Sequence, residues 1–205
     1  MPRAPIPPRQ QSDGIPLGIL PSKIVGVKVT DNDDDFPKFL KTQGYDLVYE
    51  FSVQAESHKY PTQLTFPLRL DVDETGSIIT YEDEGVDFKD QRGIQALWYF
   101  FDAIGYKGAL DPQGNFISHA DHKISIDKVP DDILDYLSGL DEYPILLNFY
   151  KKDSSDGRAY VSVSRMAMPN TMDGMAIMRK TFKPKALPAD KPKPATHKPG
   201  RPPKL

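Results

Sequence analysis

Four stretches of the chain carry residue types whose spacing could do chemistry. Asp71-Val-Asp-Glu-Thr-Gly-Ser-Ile-Ile-Thr-Tyr-Glu82 places Asp at positions 1 and 3, Thr at 5, Gly at 6 and Glu at 12 of a calcium-type loop. Oxygen donors so spaced converge on a hard cation. A calcium hand also needs flanking helices, and the upstream "QLTFPLRL" alternates as a strand and contains Pro67, so the segment is expected to be a hairpin connection without a metal. "HADH", His119 to His122, offers two imidazoles and Asp121, but with no Cys and no recognisable fourth ligand it reads as loop residues in solvent. The acids Asp31 to Asp35 read as a solvated run of like charge. No nucleophile elbow and no glycine-rich phosphate loop occurs, so the chain is expected to be neither an enzyme nor dependent on a cofactor.

The fourth stretch is near the end of the apolar part of the chain. In Tyr143 to Lys152 and Arg158 to Met166, strand alternation sets Asn148, Tyr150 and Lys152 on one face with Arg158, Tyr160 and Ser162 across the turn. Aromatic rings between cations suit a single nucleic-acid strand, because every base has a stackable face and every linkage a negative charge. Arg69, at the end of an earlier strand, is a further candidate phosphate contact. So are Lys180, Lys183, Lys185, Lys191, Lys193, Lys198, Arg201 and Lys204 of the C-terminal tail, which can supply a nonspecific arm.

Charge is distributed unevenly along the 205 residues, whose net is -3. Residues 179–205 hold nine Lys or Arg against Asp190, residues 1–23 hold three against Asp13, and residues 24–178 hold 14 against 27 acids, a balance of -13. Like charge repels phosphate at long range, although screening over about 8–10 Å lets a local basic groove act by itself. Within "KPGRPPKL", Gly200-Arg201-Pro202 is the core of a minor-groove hook, but the second flanking cation is missing, so nonspecific phosphate contact is expected. A tail so basic could also fold back on its acidic body.

The elements that must position these residues follow from hydrophobic period. Val25, Val27 and Val29 alternate, then Tyr45, Leu47, Tyr49, Phe51 and Val53, then Leu64, Phe66, Leu68 and Leu70, giving three half-buried strands, with Ser77 to Tyr81 a fourth short one. The period then lengthens to about 3.6 over Ile94, Leu97, Trp98, Phe101 and Ile104, a helix that Asp90 could cap and Gly105 could end. A brief strand over Lys123 to Ile126 and a short helix over Pro130 to Gly139 precede the final strand pair. Thirteen of the 20 prolines lie in 1–21 and 184–205, so the expected organisation is a Pro-rich disordered arm over 1–21, one domain over 22–169, and a disordered basic tail over 170–205.

Three strands, a helix, then a two-strand hairpin is the element order of the OB-fold, a small, partly open five-stranded barrel with its main helix between strands 3 and 4; the class is mainly β. "GYDLVYEFSV", "GIQALWYFFDAIG" and "YPILLNFYKKDSSDGRAYVSVSRMAMP" together resemble phage-encoded OB-fold single-stranded DNA-binding proteins over roughly residues 20–170. The resemblance implies sequence-independent binding of single-stranded DNA in replication or recombination, with replication or recombination proteins as further partners; the lack of Cys and of any run near about 18 apolar residues separately leads to the expectation of a soluble, cytoplasmic protein without a membrane span. Many such proteins end in an acidic recruiting tail, whereas this tail is basic. The alternative is a noncatalytic interaction module with an acidic face and a solubilising tail.

Overall fold

The computed structural model describes residues 15–41, 43–70, 74–77, 93–111, 113–153 and 159–182. Five strands form one antiparallel sheet: β1 (Gly18–Thr30), β2 (Leu47–Ala55), β3 (Thr62–Leu68), β7 (Ile145–Asp153) and β8 (Ala159–Pro169). They lie in the order β3-β2-β1-β7-β8. The sheet curls until its two outer strands face each other, giving a nearly closed OB-fold-like barrel. At the remaining seam the Arg165 guanidinium of β8 donates from Nε to the Thr65 carbonyl of β3 at 2.9 Å and lies 5.9 Å from the Phe66 ring. A small second sheet, β4 (Ala109–Leu110), β5 (Phe116–Ile117) and β6 (Lys123–Ile124), and two helices, α1 (Gly93–Ile104) and α2 (Val129–Ser138), fill the connection between β3 and β7. A third helix, α3 (Met172–Thr181), follows the barrel.

The interior is aromatic because the alternating strands and the helix offer rings to one another. Phe100 of α1 is fully buried, 4.8 Å from the Phe51 ring and 5.1 Å from the Phe66 ring, and Phe101 meets Tyr49 edge-on at 5.9 Å. Ile94, Leu97 and Ile104 are buried on the same helix, and Trp98 packs half-buried at its margin. Gly105 stops α1: its φ of +72° is left-handed, its N–H bonds to Asp102 O at 3.0 Å, and the Tyr106 N–H reaches back to Phe101 O at 3.0 Å. This double closure is favoured by a residue without a Cβ. The Tyr136 hydroxyl of α2 donates to the Gly105 carbonyl at 2.7 Å, covering the helix end.

Four expectations are corrected. Val25 does not point inward: the β1–β2 register slips between Ile24 and Gly26, a bulge at Val25 turns that side chain out to 44% exposure, and Ile24 is buried instead. Tyr45 packs on the outside of the barrel with Phe36, Leu40 and Val48, because the loop between β1 and β2 folds back over β2. Residues 172–181, expected in the tail, form α3, and residues 18–21, expected in the arm, begin β1. The apolar positions of α3 are Met175 and Met178 on one side, and they cover Leu146, Met166 and Ile19; Leu146 is therefore fully buried although its strand position faces out of the barrel. Close approach of α3 to β8 requires Gly174, where a Cβ would stand 2.1 Å from the Pro169 carbonyl oxygen. The helix starts where the Thr171 side chain accepts from the Gly174 N–H at 3.1 Å. Asp90 and the strand expected over Ser77 to Tyr81 lie outside the described residues, except Ser77 itself.

Phe100→Ala should lower stability by about 3–5 kcal/mol, since it removes a ring from the centre of a close-packed cluster. Val25→Ala, at an exposed bulge, should change it by less than about 0.5 kcal/mol. Urea unfolding of both variants checks the pair; equal losses would show that the aromatic cluster is not the barrel's main support.

Candidate nucleic-acid interface

The β7–β8 hairpin outruns the rest of the barrel. Pairing of β1 with β7 ends at Gly18 opposite Phe149, whereas β7 continues with β8 through Tyr150–Ser162, Lys151–Val161, Lys152–Tyr160 and Asp153–Ala159. Residues directly opposite in an antiparallel pair share a face. Tyr150, Lys152, Tyr160 and Ser162 therefore form one surface, as alternation predicted, on a ribbon that projects past β1. Tyr150 is 41% exposed, Lys151 and Lys152 are exposed, and Tyr160 is half-buried. Asn148 is half-buried and pairs with Ile19 of β1 beside the irregularity between Leu147 and Phe149. Arg158, at the turn, lies outside the described residues.

Arg69 belongs to a different constellation, at the opposite end of β1. Its Nη2 donates to the Gln43 carbonyl at 2.6 Å and its guanidinium lies 5.4 Å from the Tyr45 ring. Gln43 in turn donates from Nε2 to the Phe39 carbonyl at 2.7 Å and accepts from the Tyr45 hydroxyl at 3.2 Å. These bonds hold the β1–β2 loop in one shape and leave Phe39 62% exposed at its crest. Sequence reading missed Phe39; the signal was an apolar residue beside Leu40 that no strand or helix period absorbs. The acids Asp33–Asp35 form a 3-10 turn capped by Asn32, and Lys28 and Lys41 donate to the carbonyls of Asp35 and Asp34 at 2.8 and 2.6 Å.

Between the two constellations, the outward residues Glu50, Ser52, Gln63 and Thr65 of β2 and β3 are polar, and the outward Val48 is covered by the β1–β2 loop. Gln63 donates from Nε2 to Ser52 Oγ at 2.8 Å, and Lys28 lies 3.5 Å from Glu50. No aromatic side chain stands among them. Lys180 is exposed in the last turn of α3, where it complements the helix C-terminus. Lys183, Lys185, Lys191, Lys193, Lys198, Arg201 and Lys204 lie outside the described residues, as does most of the Asp71–Glu82 segment.

The "HADH" stretch is not a solvated loop at His119. Its ring Nδ1 is 2.9 Å from Asp132 Oδ1; an ionised carboxylate only accepts, so Nδ1 carries the proton. The His119 backbone N–H donates to Oδ2 at 2.9 Å, and the Tyr106 hydroxyl donates to the same oxygen at 2.6 Å. Burial works to raise the Asp132 pKa, but these donors outweigh it and hold the carboxyl below its ordinary value. Desolvation, and then the bond to Asp132, pushes the Tyr106 phenol up. The group ties the β5–β6 turn to α2. His58 is 4% exposed; it bonds through Nε2 to the Pro16 carbonyl at 2.7 Å and meets the Phe149 ring edge-on at 4.7 Å.

Among the described residues no three His, Cys, Asp or Glu side chains converge as a metal site, and no helix is long and apolar enough to cross a membrane. No family model matches the chain, and neither a curated protein nor a solved structure matches it. The OB-like arrangement of the barrel therefore rests on the strand order and the inserted helix.

Because the folded-state pKa of Asp132 is depressed, its stabilising contribution is complete above its unfolded value of about 3.9 and is lost as pH falls through the lower folded value. Asp132→Asn should lower stability at pH 7 and make the loss of stability below pH ~4 shallower. Thermal unfolding from pH 2 to 7 checks this. An unchanged acid limb would mean that the carboxylate is not coupled to folding.

Proposed function

We propose that this protein binds single-stranded DNA without sequence preference, in replication or recombination of a phage, with the β7–β8 ribbon as the primary contact. The observation that carries the reading is the shared face of Tyr150, Lys152 and Tyr160 on a strand pair projecting beyond an OB-like barrel. Barrels of this kind bind oligonucleotides through the face of strands 2 and 3 and through the loops at its two ends, those joining strands 1 to 2 and 4 to 5. The ribbon is the second of these loops, and the Phe39–Arg69 cluster is built on the first. With a polar β2–β3 face between them, stacking falls to Tyr150 and Tyr160 at one end and Phe39 at the other, and Lys152 and Arg158 neutralise phosphates. No cofactor takes part.

The interaction-module reading draws on one observation of its own. Phe39 stands exposed on a loop whose turn is Asp33–Asp35, a setting that suits an apolar or basic peptide. Titration of labelled single- and double-stranded oligonucleotides at several salt concentrations separates the two.

Tyr150→Ala should weaken single-strand affinity by about 1–3 kcal/mol with the fold intact. Lys152→Ala should instead reduce the salt slope by about 0.7, the loss of one phosphate contact. Fluorescence anisotropy measures both. Unaltered affinity in Tyr150→Ala and Tyr160→Ala, with binding still present, would remove the ribbon from the interface.

A further inference from the structure

A cavity of about 550 Å³ opens where the barrel's end meets the C-terminus of α1. Its walls are Pro21, Pro144, Pro169 and Tyr143, with Leu140 and Ile104 among its apolar residues. Glu56, Asp102 and Asp141 also line it, all three exposed and none paired with a described cation, and no lining residue is basic. The last residues of α1 add the negative end of a helix dipole. A groove with proline and tyrosine walls and an acidic border, with Lys23 at its edge paired to Glu142 and 4.9 Å over the Tyr143 ring, suits a proline-rich cationic peptide, whose rings lie on the walls and whose ammonium groups meet the remaining carboxylates.

The same chain carries such a peptide. Residues 183–205 hold seven Pro and seven Lys or Arg against one Asp. They begin close to the groove: Thr171, the N-cap of α3, lines the cavity, and α3 runs only ten residues from there to Thr181. That is about 15 Å of helix. A proline-rich chain spans about 3.1 Å per residue, so about five residues return the distance and Lys191 to Lys198 fall within reach. We infer that the acidic cavity between α1, the α2–β7 connection and the β8–α3 connection is the intramolecular docking site of the chain's own Lys/Pro segment. Docking there brings the tail's charge against the body's -13 and holds it away from other anions. The inference does not depend on nucleic-acid binding, so its failure would leave that reading as it stands.

The chain has no Cys, so a nitroxide can be placed at one site in the full-length protein through Ala195→Cys. At low salt the label should broaden the amide signals of Gly105, Tyr143 and Thr171. The broadening should vanish in about 1 M salt, where the screening length falls to about 3 Å. It should also vanish in the triple variant Glu56→Gln, Asp102→Asn, Asp141→Asn, and in a tail variant with Lys191, Lys193 and Lys198 replaced by Gln, which leaves the body untouched. Absence of broadening at low salt overturns the inference, as does broadening centred on Asp33–Asp35 or undiminished in the tail variant. Broadening that arises only between a labelled copy and a separate isotope-enriched copy would make the contact intermolecular and equally contradict it.

Discussion

The structure depends on how an incompletely paired barrel is closed. β3 and β8 share no hydrogen-bonded ladder, so an open seam would leave two strand edges and the aromatic interior exposed to water. α1 resolves this by packing against both strands, with Phe100 between Phe51 and Phe66 and Phe101 against Tyr49. Arg165 adds a polar clasp across the seam at Thr65. Each ring contact contributes only about 0.5–1.5 kcal/mol beyond burial, but the cluster joins β2, β3 and α1 into one unit.

Closure also sets what is left for function. The strands near the seam and the β2–β3 face are occupied with self-satisfied polar pairs, while α3 covers the outward side of Leu146. Exposed aromatic and cationic side chains stand together where strands outrun the barrel, on the β7–β8 ribbon, where the β1–β2 loop is bonded into shape around Phe39 and Arg69, and on the β2–β3 connection, where Lys59 lies over the Tyr60 ring. The two sites lie at opposite ends of β1. A single strand crossing from one to the other would meet little that attracts phosphate along the way, so under the proposed function the ribbon would be the stronger anchor.

Much of the barrel was legible because its residues obey simple periods. Tyr49, Phe51 and Val53 alternate without interruption, Ile94 to Ile104 follow helical spacing, and Gly105 ends the helix in the left-handed conformation glycine favours. The shared face of Tyr150, Lys152 and Tyr160 came from the same alternation. What escaped was non-local. The bulge at Val25 is decided by the partner strand, the burial of Leu146 by α3, and the structure of His119 by Asp132, thirteen positions away. α3 was concealed by composition: its Met, Ala and Ile precede a run of Lys and Pro that marks the segment as tail, and only the cap at Thr171 and the close approach at Gly174 reveal a docked helix.

The proposed interface puts a single strand on the β7–β8 ribbon. Photocrosslinking a thymidine-rich oligonucleotide carrying 5-iodouracil, followed by mapping of the modified peptide, tests it most directly. Crosslinks are expected at Tyr150 or Tyr160. Crosslinks confined to the β1–β2 loop or to the basic tail, or none under saturating oligonucleotide, would contradict it.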